Sequence, residues 1–468
     1  MKQLAIEGIS WSSHQLVLRF TLDRLTFSTT YWYPETDLLE LEHRFGRELV
    51  ERLFLHVALF EINKIASLRP ESIHLGRYAG YLTEGLARLW TRIFEKVWAQ
   101  WRYENSLPDE PPPRFADRIV DRGASPVRRD RPNGDLLLFC GGGKDSLVAM
   151  KLLERAGIPY ASLAYSSSVY GSAKPQLRLI DRLLDVGIPT RRHRQIVLDD
   201  FYDAPVLELY GEELGVQTVT AAETPGSIFA TLPVLLAHGY GYAVLGHEAS
   251  SNRGNLIWGA TGEEVNHQWG KSVEAERLLD DYIRTELIED IGVFSLLMPI
   301  HDPVIFELLQ RDEAAIAATH SCNIAKPWCR RCPKCAYVWL GYRGYLAEEP
   351  VQALFGEELL EVAENYGFFE EMVGLGEHTP FECIGQIEES RLALSLCVAR
   401  GLAGPRGLEL AGRVPPLDLD RVIDTFARVH ADTARLPEDV AARVLPLMEE
   451  AAACCRRRLR RLSAPANH

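Results

Sequence analysis

Apolar residues recur at three distinct spacings along the chain, and each spacing predicts a different layer of structure. In residues 3–33 short β-prone runs, Leu4–Ile9, Gln15–Thr21 and Leu25–Tyr31, follow one another closely and predict a small antiparallel meander. Two helical stretches follow near Leu38–Ser67 and Tyr78–Trp101. Proline and charge then dominate. Residues 106–131 hold Pro108, Pro111, Pro112, Pro113 and Pro126 and are expected to be a linker after an N-terminal domain, residues 1–105. The pattern changes again at Leu136–Phe139, an all-apolar run typical of a strand buried on both faces. Leu147–Ala156 carries apolar residues at 148, 152, 153 and 156, a helical stripe, and Gly157 ends it. Further strands are expected at Tyr160–Tyr165, Arg194–Leu198 and Tyr242–Gly246, with helices between. Such alternation predicts an α/β fold: a doubly wound parallel sheet with helices on both faces. Residues 351–468 read as largely helical, and the basic run Arg456–Arg461 reads as a solvated helix end.

Composition narrows the function classes. The chain has 468 residues, 47% hydrophobic and 25% charged, with a formal net charge of -14. An acidic chain without a basic stripe disfavours nucleic acid as a partner. The apolar stretch Ser227–Leu245 is interrupted by Pro233, His238, Gly239 and Gly241, so no membrane span is expected. Met1–Glu7 has no apolar run of the kind that opens a signal peptide, and a cytoplasmic location is expected. Nine cysteines in such a chain point to metal or thiol chemistry rather than to a disulfide frame.

Between the buried strand and the first helix of the α/β domain, residues 132–320, lies Cys140-Gly141-Gly142-Gly143-Lys144-Asp145-Ser146. Three glycines let the backbone approach an anion closely, and the helix start behind them adds partial positive charge. Ser146 can donate a hydrogen bond and Lys144 a point charge; Asp145 suits Mg²⁺ or fixing of the loop. The spacing is not that of a Walker A loop. A second loop, with Gly246, His247 and Glu248, follows an expected strand end, where ligands of open α/β sheets sit. Glu248 there is a further candidate for Mg²⁺.

Cys322, Cys329, Cys332 and Cys335, with Pro327 and Pro333 between them, form the strongest metal signal, a knuckle expected over residues 321–350. Four thiolates can close a structural Zn²⁺ site; an iron–sulfur cluster is the chemical rival. Of the remaining cysteines, Cys140 and Cys397 are expected as packing, and Cys454 and Cys455 as exposed. Cys383, in the turn-like Thr379–Gly385, is not explained by packing.

The glycine loop resembles the Ser-Gly-Gly-x-Asp-Ser loop of PP-loop ATP pyrophosphatases, with Gly141 in place of the first serine. That resemblance implies an ATP site whose loop, residues 141–146, holds the pyrophosphate half. A cysteine knuckle similar to this one follows the PP-loop domain in 7-cyano-7-deazaguanine synthases. Three segments taken together, Gly141–Ser146, Asn266–Ser272 and Cys322–Trp339, resemble the MurL family of UDP-N-acetylmuramoyl-L-alanyl-L-glutamate epimerases. The family resemblance implies adenylation of the substrate carboxylate by ATP and Mg²⁺, loss of the α-proton, and structural Zn²⁺. The partner implied is a small UDP-muramoyl dipeptide. Asp145, Cys383, His267 and Glu248 are the candidates for catalysis; Gly246 and His247 join the loop at the nucleotide. Arg253, Asn266, Lys271 and Arg277 are the candidates for holding the substrate. Two other readings remain open on these residues: a PP-loop enzyme forming an amide, nitrile or thiol on a base or tRNA, and a non-catalytic nucleotide-binding regulator.

Overall fold

In the computed structural model, which describes residues 3–121, 123, 125–129, 134–220 and 224–462, eleven strands are laid down in chain order. They are β1 (Gln3–Trp11), β2 (Gln15–Leu22), β3 (Leu25–Trp32), β4 (Ser72–His74), β5 (Leu136–Phe139), β6 (Tyr160–Ser167), β7 (Arg192–Asp199), β8 (Tyr242–Glu248), β9 (Leu256–Ile257), β10 (Glu264–Val265) and β11 (Gly292–Leu297). Nine of them form one sheet, in the order β11-β8-β5-β6-β7-β3-β2-β1-β4, and β9 and β10 form a separate ribbon. From β11 to β7 every neighbouring pair is parallel. Chain order reverses between β5 and β8, so the crossover helices lie on opposite faces and the loops leaving these two strands diverge.

The period-two logic of a buried strand is visible in β5. Leu137 faces one hydrophobic core, shared with the helices Arg47–Ala66 and Thr224–His238. Leu136 and Leu138 face the other, shared with Lys144–Arg155 and the C-terminal helices. Each face of the sheet therefore has its own core. The apolar stretch after residue 224 is one of these buried helices. Among the described residues no helix is long and apolar enough to cross a membrane.

The sheet continues past the parallel part. β3 pairs antiparallel with β7, from Thr29 opposite Asp199 to Trp32 opposite Ile196. The meander, read in the sequence as part of a separate N-terminal domain of residues 1–105, thus shares a sheet and a core with the α/β part. The segment expected as a linker is also tied down where it is described. Ile73 N–H donates to the Arg114 carbonyl and Ala116 N–H to the Ile73 carbonyl, while Val120 N–H donates to Leu82 and Val127 N–H to Leu287. Residues 122, 124, 130 and 131 of that segment lie outside the described residues. Backbone donors of a proline-rich segment must find partners somewhere, and here the body supplies them.

Beyond residue 330 the chain is helical, ending in the long helix Glu438–Arg460. Cys455 is buried there against the carbonyl of Pro303, contrary to the exposure expected from its arginine neighbours. Leu459 is buried too, so one stripe of this basic helix faces the core while its arginines stay outside.

Candidate functional site

The site lies where β5 and β8 end. β5 delivers Cys140 to a tight loop, and the helix Lys144–Arg155 starts inside it, with Gly143 as its cap residue. Gly142 has φ of +99°, a conformation open mainly to glycine. A Cβ there would also lie 2.2 Å from Nε2 of His320, so the close approach of that ring requires glycine. The backbone N–H of His320 donates to the Gly142 carbonyl at 2.7 Å. Ser146 Oγ turns back and accepts from the Gly141 N–H at 3.0 Å, closing the loop. β8 runs further than expected, to Glu248, and Gly246 lies against the Asp145 backbone, 3.4 Å from its carbonyl oxygen to a Cβ position.

Lys144 does not extend outward. It is buried and paired with Asp145 at 2.6 Å and with Asp302. Burial pulls its pKa down, but Asp145, Asp302 and Glu248 outweigh it and leave the ammonium held above the usual lysine value. Asp302 also accepts from the Tyr337 hydroxyl, and its backbone N–H donates to Glu389 at 2.9 Å. Glu248 is turned inward as well, accepting from the Ser250 N–H. Burial, then Asp302 and Glu389, push its carboxyl well above the usual range. Burial and Asp302 push Glu389 up to about 8. His247 is half-buried beside the Ser295 hydroxyl, and desolvation lowers it to about 3, so it is a neutral ring.

Asp145 faces the opposite way, with its side chain 30% exposed. Burial raises its carboxyl, but Lys144, Lys334 and Lys271 together hold it below the usual value. Two of those lysines reach Cys383. Lys271 Nζ lies 2.7 Å from Cys383 Sγ, and Lys334 Nζ donates to the Cys383 carbonyl. Burial pushes the thiol up, yet Lys271, a hydrogen bond from the His267 ring and Lys334 bring it down to about 6. The segment carrying Cys383 is held from below by Asn255, which donates to Thr379 Oγ1 and the Pro380 carbonyl, and by Gln268, which donates to the Ile384 carbonyl. His267 is oriented by Gln100, its Nδ1 2.8 Å from Oε1, so the N-terminal helix Glu84–Glu104 touches the site.

The structure therefore brings together Asp145, His267, Lys271 and Cys383, with the inward-facing Lys144, His247 and Glu248 behind them. Of the expected substrate-binding residues, Lys271 lies against Cys383. Asn266 is spent on a turn, donating to the Ser251 carbonyl and accepting from the Gln268 N–H. Arg253 and Arg277 are exposed. Lys334, Asp302, Tyr337 and Glu389 are site residues that sequence reasoning passed over. For Asp302 a signal existed: it follows, after His301, the mostly apolar run Val293–Ile300, which covers most of the fifth parallel strand. Lys334 sits between two cysteines of the cluster, where a lysine reads as solvated.

The four cysteine sulfurs lie within 4.8 Å of one another. Cys322 and Cys332 are 3.8 Å apart, as are Cys329 and Cys335. A tetrahedral zinc with bonds of about 2.3 Å sets its sulfurs about 3.8 Å apart, so the cluster can hold zinc. Backbone N–H groups of Ile324, Ala325 and Cys329 point at the Cys322 sulfur, as they would at a thiolate. Among the described residues this is the only group of three or more potential ligands gathered for one ion.

Comparison with known proteins adds a family. Residues 226–296 match the model of the MurL N-terminal domain, and residues 316–402 that of the MurL C-terminal domain. The first holds Lys271 and His267, the second the cysteine cluster, Lys334 and Cys383. A UDP-N-acetyl-alpha-D-muramoyl-L-alanyl-L-glutamate epimerase of Micromonospora sp. is 33% identical over 330 residues, 67% of this chain and 68% of that protein. Proteins of the same name from Salinispora tropica (32% over 319 residues, 65% of each chain) and Xanthomonas oryzae pv. oryzae (28% over 340 residues, 71% of each) are similar to it as well. The chain thus spans about two thirds of the length of the relatives it matches.

Proposed function

The chain belongs to the MurL epimerase family, and from that premise we propose that it inverts the terminal L-glutamate of UDP-N-acetylmuramoyl-L-alanyl-L-glutamate with ATP, in the supply of peptidoglycan precursor. Proton loss beside an ionised carboxylate would place two negative charges on one small unit. Adenylation removes that obstacle. A carboxylate oxygen attacks the α-phosphorus of ATP, the bond to pyrophosphate breaks, and the acyl adenylate behaves like an ester. Its α-proton passes to a base, the electron pair delocalises onto the carbonyl oxygen, and a proton returns on the other face. Water then cleaves the adenylate to carboxylate and AMP.

The glycine loop is the part suited to the nucleotide phosphates, as in PP-loop pyrophosphatases. Mg²⁺ would arrive with the nucleotide; Asp145 is the outward carboxylate able to share it, while Glu248 is committed to Ser250. Zinc on the four cysteines would be structural, since four thiolates leave no open position.

One observation carries the reading: Lys271 Nζ lies 2.7 Å from Cys383 Sγ while also acting on Asp145 of the glycine loop. A thiol held near neutrality beside an adenylation loop is equipped as the α-proton base. Glu248 is turned inward onto the Ser250 N–H, and His247, lowered to about 3, is too weak a base. His267 sits beside the thiol and steadies it. The test is isotope exchange in D₂O with the UDP-linked L-Ala-L-Glu substrate. Deuterium should enter the glutamate α-position only with ATP and Mg²⁺, AMP and pyrophosphate should accumulate, and Asp145→Ala should abolish all three. Cys383→Ser should still release pyrophosphate while exchange falls by about 10²–10⁴. Full exchange without ATP would disprove the adenylation route, and normal exchange in Cys383→Ser would disprove the thiolate base.

A further inference from the structure

The glycine loop is short of one hydroxyl. Its first position is Gly141, and Ser146 Oγ spends a lone pair on the Gly141 N–H. Just across the loop is a hydroxyl with nothing to do. Ser321 Oγ is buried and has no hydrogen-bond partner among the described residues. Buried hydroxyls are rarely left so, because the lost bonds to water are not replaced.

Its position is set from both sides. On one side the chain is clamped to the loop: His320 N–H donates to the Gly142 carbonyl, and the His320 ring fills the space a Cβ on Gly142 would need. Ser321 comes next, its Cβ 3.1 Å and its Oγ 3.7 Å from where a Cβ on Gly143 would lie. On the other side is Cys322, one of the four clustered thiols. Residues 320–321 therefore form a roof over Gly142 and Gly143, anchored by the cysteine knuckle.

We propose that Ser321 is a polyphosphate-binding residue. Its hydroxyl donates to the phosphate oxygen seated on the loop and takes the place of the one missing at Gly141. This rests on the loop being the nucleotide-phosphate site. It adds a ligand from more than 170 positions downstream, the separation of Ser321 from Gly143 being 178, and gives the knuckle a part in nucleotide binding.

Calorimetric titration of the full zinc-loaded chain with inorganic pyrophosphate and Mg²⁺, and separately with AMP, tests it. Ser321→Ala should weaken pyrophosphate by about tenfold or more, as expected for a hydrogen bond to a charged group. It should leave AMP affinity and zinc content unchanged. Ser146→Ala is the control for the loop itself. If Ser146→Ala weakens pyrophosphate and Ser321→Ala does not, the inference is overturned while the loop reading stands. Equal weakening of pyrophosphate and AMP, or loss of zinc, would make Ser321 a structural residue and overturn it too. If the unaltered chain binds neither pyrophosphate nor ATP, both readings fall.

Discussion

A thiol taken out of water resists ionisation, as Cys140 and Cys397 show: burial pushes each up to about 12. Cys383 suffers the same desolvation and still ends at about 6, because Lys271, His267 and Lys334 face it. The direction has a kinetic consequence. The base form is the thiolate, so it is present above about pH 6 and lost below it. The kcat/KM of ATP-dependent exchange should therefore rise with pH through an ascending limb near 6. Lys271→Met removes the strongest attracting charge and should move that limb upward by about one pH unit or more. The same shift should appear in the pH dependence of thiol alkylation by iodoacetamide. A limb that stays in place in Lys271→Met would show that the ammonium does not govern the thiol.

At the scale of elements, the cysteine knuckle links parts that are otherwise separate. Cys322 and Cys329 come from the loop after the helical segment Gln310–Ala318, whereas Cys332 caps the helix Pro333–Tyr345, its sulfur accepting the Cys335 N–H at 3.4 Å. That helix is buried along nearly its whole length and carries both Lys334 and Tyr337 to the site. A metal held here would order the loop, the helix start and the roof over the glycines together. One zinc per chain is expected by elemental analysis. Chelation or Cys329→Ser should lower the thermal midpoint strongly, since metal-binding energy is folding energy, on the order of 10 kcal/mol in zinc peptides. A brown chromophore with iron in place of zinc, or an unchanged midpoint after metal removal, would refute the structural zinc.

For the molecule as a whole, the continuous sheet matters most. The meander covers the edge of β7 through β3, and the buried Lys64 pairs with Glu61 on its own helix and with Asp199 of β7. Burial alone would lower the Lys64 pKa; the two carboxylates reverse that and keep it raised. Removing residues 1–105 would strand Asp199, bare the β7 edge and open one of the two cores. A fragment of residues 106–468 is expected to be insoluble or to lack near-ultraviolet circular dichroism, rather than to be a smaller enzyme. A soluble fragment with native-like dichroism that binds ATP would show that the N-terminal part is dispensable.

What could be read from sequence alone was local. The all-apolar β5, the helix stripe behind it, the glycine loop and the cysteine spacing each lie within a window of about a dozen residues, where backbone geometry and ligand reach set the pattern. Cys383 could be singled out because packing did not explain it, but not its partner. Lys271 is 112 positions away, and Lys144 meets Asp302 across 158. A lysine in a sequence has no mark saying whether it will face water or a buried carboxylate; only the tertiary fold assigns its surroundings and hence its charge state. The same holds for Lys334 and Ser321, set beside the knuckle cysteines, and for β3, whose alternation predicts a strand without naming β7 as its neighbour. Periodicity and spacing determined the elements and the four cysteines of the cluster. Which side chains converge at the ends of β5 and β8 was decided by packing between segments far apart in the chain.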